Sequence, residues 1–424
     1  MADIPFPRGV RDLMPNEALF RNELLRKVES IFQLFGFLTI DTPTFESLKI
    51  LKAKNAIGED SKLIYELKEE ELGLRYDNTV SLARYMAMHQ DLPLPFKRYY
   101  IGKVWRREEP QRLRYRELTQ ADADIVGGNS TMADAEVMAV GSMILEDIGI
   151  DYIVCLNDRE LLEKVLGKFG IDPMRFADIE RAIDKMDKIG EGKVVELLKG
   201  LGLDPSTVDQ IMAFAGQKGT NEEKLNYIDG ILGEENSTKG LRATLGLLEG
   251  YNLRGEIRID LWTMRGLDYY TGIVFEYKNK YDESISVAGG GRYDKLISLY
   301  GAKSIPAVGL SFGIDRILYM LEYSASIEYT YANVFVANVT EGNYQYALKV
   351  ANAFRAAGIP TDINIASRNL SNQFAYANTI KTKYVAVLGD AEEKSNKVKL
   401  RNLVTGNESL MGVEEAIKVI KGET

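Results

Sequence analysis

Residues 98–128 read RYYIGKVWRREEPQRLRYRELTQADADIVGG. Arg98, Lys103, Arg106, Arg107, Arg112, Arg114 and Arg116 crowd its first part, with Tyr99, Tyr100, Trp105 and Tyr115 interleaved. Two alternating runs flank a polar, proline-containing turn around Glu109–Gln111, which is the pattern of strand, loop, strand. In the second run Gln120, Asp122 and Asp124 recur at period two, so a strand sets their side chains on one face. A hairpin that is basic along one arm and carboxylate-lined at the end of the other suits a ligand carrying a polyphosphate and an ammonium group. The plain alternative is a solvated basic hairpin. Interleaved aromatics followed by a same-face acidic row speak against it.

The chain around this stretch has 424 residues, long enough for two or more domains. Hydrophobic residues make up 45% and charged residues 27%, the balance of a globular protein with a substantial core. The N-terminus lacks a basic–apolar–small pattern, so no secretory signal is expected. No apolar run approaches the ~20 residues of a membrane span. A single cysteine, Cys155, excludes intrachain disulfides and points to a reducing compartment; it follows an apolar run and reads as a buried, inert thiol. The single histidine, His89, excludes a two-histidine metal site, and its setting before Asp91 and Pro93 reads as an exposed loop. The chemistry therefore falls to arginines, carboxylates and tyrosines.

Net charge is −9. Residues 333–424 hold 11 Lys and Arg against 9 Asp and Glu, about +2, which leaves about −11 for the rest. Bulk charge would not suggest a nucleic-acid partner, yet phosphate contact depends on local basic patches.

In chain order, residues 5–15 form a proline-punctuated arm. Asn16 is placed to cap a helix through about Phe35, with Leu19, Phe20, Leu24, Val28, Ile31, Phe32 and Phe35 at helical spacing and Gly36 as its stop. FLTIDTPTFE then reads as a strand that Pro43 confines to an edge or breaks. Helix and strand together could form a dimer surface or a covered edge in a monomer. Residues 63–79 alternate around the acidic turn KEEEL as a second hairpin, which would project Asp77 and Thr79 the same way. VSLARYMAM is helical, and Thr131 with Asp134 reads as a capping box for a helix through Ile148. DYIVCLND is a strand. Residues 158–250 are rich in Leu, Lys, Glu and Asp, with helical repeats and no strand pattern. Strands return at 255–263, and SISVAGGGRYD places Gly289–Gly291 after a strand, where they allow a tight turn or close approach to a ligand. Residues 308–322 run from strand to helix with Arg316 in its first turns, where the helix N-terminus favours phosphate. After a linker at 324–332, strands and helices alternate through a β-α-β-α-β-β order to a last helix, VEEAIKVIK, as a separate compact α/β domain.

Together these pieces resemble the histidyl-tRNA synthetase family of class II aminoacyl-tRNA synthetases over nearly the whole chain. The helix with the Pro43 strand looks like motif 1, WRREEPQRLRYRE like motif 2 and GLSFGIDRILYM like motif 3. RGLDYYTG (265–272) and AGGGRYD (288–294) look like the two histidine-specific motifs, and LRYDNT (74–79) has the RYD form of archaeal and eukaryotic members. Glu109 departs from the arginine that bacterial members often carry, which affects any acceptor-end contact carried over to this loop.

The resemblance implies an α+β fold: an antiparallel-sheet catalytic core over 1–325 with a helical insertion at about 160–250, and an α/β anticodon-binding domain over 333–424. It implies activation of histidine by ATP, with Mg²⁺, and transfer of the histidyl group to tRNA(His) by a cytoplasmic homodimer that has no membrane part. Arg106 and Arg265 would be catalytic at the α-phosphate, Arg265 in place of a metal ion. Glu108 would accept from the adenine amino group, and Arg114 and Arg316 would hold the distal phosphates. Asp77, Thr79, Gln120 and Asp124 would receive the ammonium group, and Tyr269 and Tyr270 the imidazole. Gln111 in the loop Glu109–Leu113 would approach the tRNA end. No metal ligands are evident in the sequence. The alternative is a non-catalytic paralogue that regulates ATP phosphoribosyltransferase; such proteins usually lose the catalytic arginines and the C-terminal domain.

Overall fold

The computed structural model describes residues 5–53, 58–111, 113–183, 185–233, 236–263, 269–321, 330–366 and 368–422. Arg112, Arg265 and most of the expected linker at 324–332 lie outside the described residues. The chain divides into two compact units, residues 1–11 with 24–322 and residues 12–23 with 323–424.

Helix α1 (Pro15–Leu34) starts on a proline rather than on an Asn16 cap. Proline lacks the N–H that a first helical position leaves unbonded. Leu24, Val28 and Phe32 are its buried stripe, and Gly36, at φ +76°, ends it. The Pro43 segment splits into β1 (Leu38–Thr39) and β2 (Phe45–Ser47), followed by the single turn α2 (Leu48–Leu51).

The hairpin expected at 63–79 forms only near its acidic turn: the Leu67 N–H donates to Leu72 O at 2.9 Å and the Leu74 N–H to Tyr65 O at 2.8 Å about a Glu66–Gly73 bridge, while β3 (Leu72–Leu74) pairs with β2 on its other side. Ile64 turns into the core under Gly73 rather than alternating as in a strand. Asp77 and Thr79 do not alternate along a strand either. Asp77 Oδ1 accepts the Val80 N–H at 2.9 Å, and helix α3 (Thr79–Met88) opens there. A local side-chain bond to the backbone has displaced the extended form.

The main sheet adds β4 (Phe96–Trp105), β5 (Glu117–Val126), β6 (Tyr152–Asp158), β7 (Glu256–Ile259), β8 (Ile273–Asn279), β9 (Ser286–Arg292) and β10 (Ala307–Gly313). Its eight strands run β1-β4-β5-β10-β9-β8-β6-β7, with parallel pairs only at the two edges. β4 and β5 are the two arms of the sequence hairpin, in register Arg98↔Asp124, Tyr100↔Asp122 and Gly102↔Gln120. Helix α4 (Thr131–Asp147) packs against β5, β9 and β10. Its N-cap is Ser130, with no side-chain cap bond, so the Thr131–Asp134 box does not form. Asp134 instead pairs with Arg292 Nη2 at 2.5 Å, a buried charge pair that outcompetes a cap.

Between β6 and β7 the described residues are helical, as the composition implied: α5 (Arg159–Lys168), α6 (Phe176–Ile183), α7 (Met186–Ile189), α8 (Glu191–Gly200), α9 (Pro205–Ala215), α10 (Asn221–Leu232) and α11 (Lys239–Glu249). The sheet unit closes with α12 (Ile314–Met320) after β10.

The second unit carries a five-stranded sheet. Its elements are β11 (Val334–Asn338), α13 (Tyr344–Ala356), β12 (Thr361–Ile363), α14 (Leu370–Thr379), β13 (Tyr384–Leu388), α15 (Asp390–Ser395), β14 (Lys397–Asn402), β15 (Glu408–Gly412) and α16 (Val413–Lys421). The strands lie in the order β12-β11-β13-β14-β15. The short α15 is the element the sequence pattern missed, because six residues carry too little periodicity to register. Among the described residues no helix is long and apolar enough to cross a membrane.

Candidate active site

A cleft of about 830 Å³ opens on the main sheet over β5, β8, β9 and β10. Asp77, Thr79, Arg106, Glu108, Arg114, Gln120, Asp124, Tyr269, Tyr270 and Arg316, all singled out from sequence, line it together, as does Gln111. Arg265 lies outside the described residues. His89 is exposed, is absent from the cleft lining and rests against the Tyr85 ring at 4.4 Å; Cys155 is fully buried in β6.

One end of the cleft is acidic. Gln120, Asp122 and Asp124 share the face of β5 that turns toward it, each at most 9% exposed. Arg98, on β4 directly opposite Asp124, is the buried cation of this group. Its Nη1 is 3.1 Å from Asp124 Oδ2, and its Nη2 donates to Asn78 O at 2.8 Å. Asn78 Nδ2 in turn donates to Asp122 Oδ2 at 2.7 Å, and the Tyr293 hydroxyl donates to Asp124 Oδ1. Gln120 Nε2 donates to Ser311 Oγ at 2.9 Å, which turns its carbonyl oxygen the other way. Among the described residues, Asp77 Oδ2, Gln120 Oε1 and Asp122 Oδ1 are buried and accept no hydrogen bond.

Burial pushes the Asp77 carboxyl up to about 6, against the Val80 amide and Arg106, which favour the carboxylate. Burial likewise raises Asp124 to about 6, against the pull of Arg98 and the Tyr293 hydroxyl. Asp122 is raised for the same first reason and lowered again by Arg98. Three buried carboxyls around the buried Arg98, with Arg106 acting from the cleft, form a group that an ammonium ligand could complete in charge and donors.

Glycines make this packing possible. A Cβ at Gly309 would stand 2.1 Å from Asp124 Oδ1, and one at Gly290 would stand 1.8 Å from Gly309 O. The glycines of 289–291 thus lie inside β9, and not after a strand as read from sequence. They bring neighbouring strands and the Tyr270 ring close. Tyr269, Tyr270 and Tyr293 form an edge-to-face cluster, with centroids 4.9 Å apart for the first pair and 5.7 Å for Tyr269 and Tyr293. These rings belong at once to the buried core and to the cleft wall.

The rest of the cleft mixes Arg106, Arg114, Arg316 and Lys278 with Glu108, Asp260, Glu276, Glu283 and Asp315. The Arg106 guanidinium lies 4.5 Å from the Tyr76 ring centroid, and its Nε reaches Tyr76 O at 3.3 Å, so the ring and carbonyl orient it. Arg316, third in α12, donates to Ser286 O at 2.8 Å. Arg114 stands 3.6 Å from Glu108 across the loop. Ile183 and Met186 of the helical insertion close one side. Among the described residues no group of three or more His, Cys, Asp or Glu is placed to hold a metal ion.

The sequence reading left Asp122 out of the substrate set although it shares the period-two face, which was signal enough to include it. Arg98 was counted as part of a basic arm; that it is buried opposite Asp124 follows from strand register. Asn78 and Ser311 carry no motif that marks them.

The histidyl-tRNA synthetase family matches residues 9–317, and an anticodon binding domain matches residues 333–423. A histidine–tRNA ligase of Korarchaeum cryptofilum is 39% identical over 410 residues, covering 94% of each chain. The crystal structure of histidyl-tRNA synthetase from Nostoc sp. PCC 7120 superposes with a TM-score of 0.85 at 27% identity, covering 100% of both chains. An ATP phosphoribosyltransferase regulatory subunit/histidyl-tRNA synthetase from Bacillus halodurans shares the fold, with a TM-score of 0.76 at 21% identity over 92% of this chain and 99% of that one.

Proposed function

The chain belongs to the histidyl-tRNA synthetase family, and on that premise we propose how its own residues carry the reaction. The activity is that of a histidine–tRNA ligase, an ATP-dependent class II aminoacyl-tRNA synthetase. A carboxylate oxygen of histidine attacks the α-phosphorus of ATP, and the bond to the β-phosphate bridging oxygen breaks, giving histidyl-adenylate and pyrophosphate. A terminal ribose hydroxyl of tRNA(His) then attacks the acyl carbon, and AMP leaves.

The buried acceptors Asp77 Oδ2, Gln120 Oε1 and Asp122 Oδ1, without a hydrogen-bond donor among the described residues and near Arg106, Arg114 and Arg316, carry the assignment. The ammonium group sits among Asp77, Thr79, Gln120, Asp122 and Asp124, and the imidazole lies against Tyr269 and Tyr270. That fixes the carboxylate toward Arg106. Arg106 and Arg265 hold the α-phosphate oxygens, where negative charge builds in the transition state. Glu108 takes the adenine amino group; Arg114 and Arg316 hold the distal phosphates by permanent, forked charge. ATP enters as its magnesium complex, and Mg²⁺ would screen the phosphates. Gln111 faces the tRNA end, and residues 333–424 take the anticodon.

We place the enzyme in the cytoplasm, where tRNA is charged, and as a homodimer. The exposed apolar residues Leu34, Leu38 and Phe45 on and beside edge strand β1 support a second copy there. Sedimentation as a monomer at micromolar concentration would remove the dimer. The paralogue reading is weaker, because Arg106 and Arg316 both remain in the cleft and the second domain is matched.

The deciding experiment is ATP–pyrophosphate exchange by the purified protein with each of the twenty amino acids. Exchange with histidine alone is expected. Absence of exchange with histidine, or exchange with another amino acid instead, overturns the reading.

A further inference from the structure

Where β6 runs into the helical insertion, Asn157 and Arg159 grip the segment that carries the tyrosine pair. Asn157 Nδ2 donates to Thr263 O at 3.3 Å. The Arg159 N–H donates to Gly272 O at 2.9 Å, and Arg159 Nη1 donates to Tyr270 O at 3.2 Å. On its other side Arg159 Nη2 lies 2.8 Å from Glu180 Oε2, with the two side chains 15% and 8% exposed. Glu180 belongs to α6 of the insertion, three residues before Ile183, which lines the cleft. Residues three apart share a helix face, so one face of α6 meets both the cleft and the arginine that holds Tyr270.

We infer that Arg159 is a positioning residue for the histidine pocket and that Glu180 ties it to the helical insertion. The inference rests on the reading above that Tyr270 faces the imidazole. The Tyr270 ring is already fixed on one side: a Cβ at Gly291 would stand 2.8 Å from its Cδ1. Arg159 fixes the backbone of the same residue. A planar guanidinium can bond a carbonyl with one arm and a carboxylate with the other, and an ammonium group cannot span both in that geometry. With Glu180 neutral, the fork falls back on the longer and more exposed contact of its Nε to Glu163 Oε1, 3.4 Å away, and the Tyr270 carbonyl is held by a freer side chain. The insertion thereby helps set the shape of an amino-acid pocket through Glu180 and Arg159, besides lining the cleft with Ile183 and Met186.

The test compares Arg159→Lys, Glu180→Gln and their double variant in histidine-dependent pyrophosphate exchange, with Tyr270→Ala as the pocket control. Each single variant is expected to raise the KM for histidine roughly tenfold, the equivalent of one lost charge-assisted bond. The KM for ATP should stay within about twofold, since a uniform structural defect would move both. The double variant should be no worse than the worse single, because both act through one fork. If Tyr270→Ala raises the histidine KM and neither Arg159→Lys nor Glu180→Gln does, the positioning role falls and the pocket reading stands. If the histidine and ATP KM values rise together with a lowered melting temperature, Arg159 is only structural and the inference is overturned. If Tyr270→Ala leaves the histidine KM unchanged, the pocket reading itself fails and takes this one with it.

Discussion

Arg98 and Asp124 face each other across neighbouring strands, Nη1 3.1 Å from Oδ2, both about 2% exposed. The pair neutralises one of three buried carboxyls and leaves the cluster short of positive charge. Replacing Arg98 with Met strands the carboxyls without an internal cation. A loss of about 3–5 kcal/mol in unfolding free energy is expected, measured by urea denaturation at pH 7. Adding Asp124→Asn should restore part of it, and equal stability of the single variant and the parent would refute the role of the pair.

The raised carboxyls give two opposite pH dependences. Asp77 and Asp124 keep their protons up to about 6 in the folded chain, against an ordinary carboxyl value of 3.8. Between those values the folded state binds more protons than the unfolded one, so their contribution to stability is greatest below 3.8 and declines as pH rises through 6. In the proposed site histidine binding runs the other way, because the ammonium group requires the ionised form. The KM for histidine should rise roughly tenfold from about pH 7 to about pH 5. The substrate imidazole titrates in the same range, so the diagnostic is Asp77→Asn: it should raise the KM at neutral pH and flatten the remaining rise. An unchanged profile would remove Asp77 from the site.

Arg106 and Arg316 stand at different phosphates in the proposed pose and should fail differently. Arg106→Ala is expected to lower the exchange kcat by about 10²–10³, the usual loss of one donor to a developing oxyanion. Arg316→Ala should chiefly raise the KM for ATP, by about tenfold. Steady-state exchange kinetics with ATP varied separate the two, and the reverse pattern would exchange their roles.

Gly309 is a packing requirement of the acidic end. A methyl group there meets Asp124 Oδ1 at 2.1 Å. Gly309→Ala should destabilise the chain by about 1–3 kcal/mol and raise the histidine KM while sparing that for ATP. An unaltered histidine KM would mean that Asp124 can move without cost to the substrate.

Much of the site was legible in the chain. Strand alternation alone put Gln120, Asp122 and Asp124 on one face, and the motifs brought Arg106, Arg316 and the tyrosine pair into one chemistry. The misreadings have a common physical cause. The 63–79 hairpin beyond its turn, the Thr131–Asp134 box and a strand carrying Asp77 and Thr79 were patterns read along the chain, and other partners displaced them, although Asp77 and Thr79 still face one cleft. β3 gained β2 as a second neighbour. Asp134 found Arg292. Asp77 was drawn to the amide of Val80 at the start of a helix.

By itself, then, the sequence determined the class of fold, the reaction and the residue types at the cleft, because period and motif are written in consecutive residues. Tertiary structure decided what those residues are electrically. Arg98 is a buried counterion rather than a phosphate ligand, because strand register sets it opposite Asp124. Asp77 and Asp124 are held near 6 because desolvation depends on what packs over them. Glu180 reaches the tyrosine pocket through Arg159, because a helix far from Tyr270 in sequence folds back against it. Burial and through-space charge depend on distance in the folded chain, and no stretch of consecutive residues records that distance.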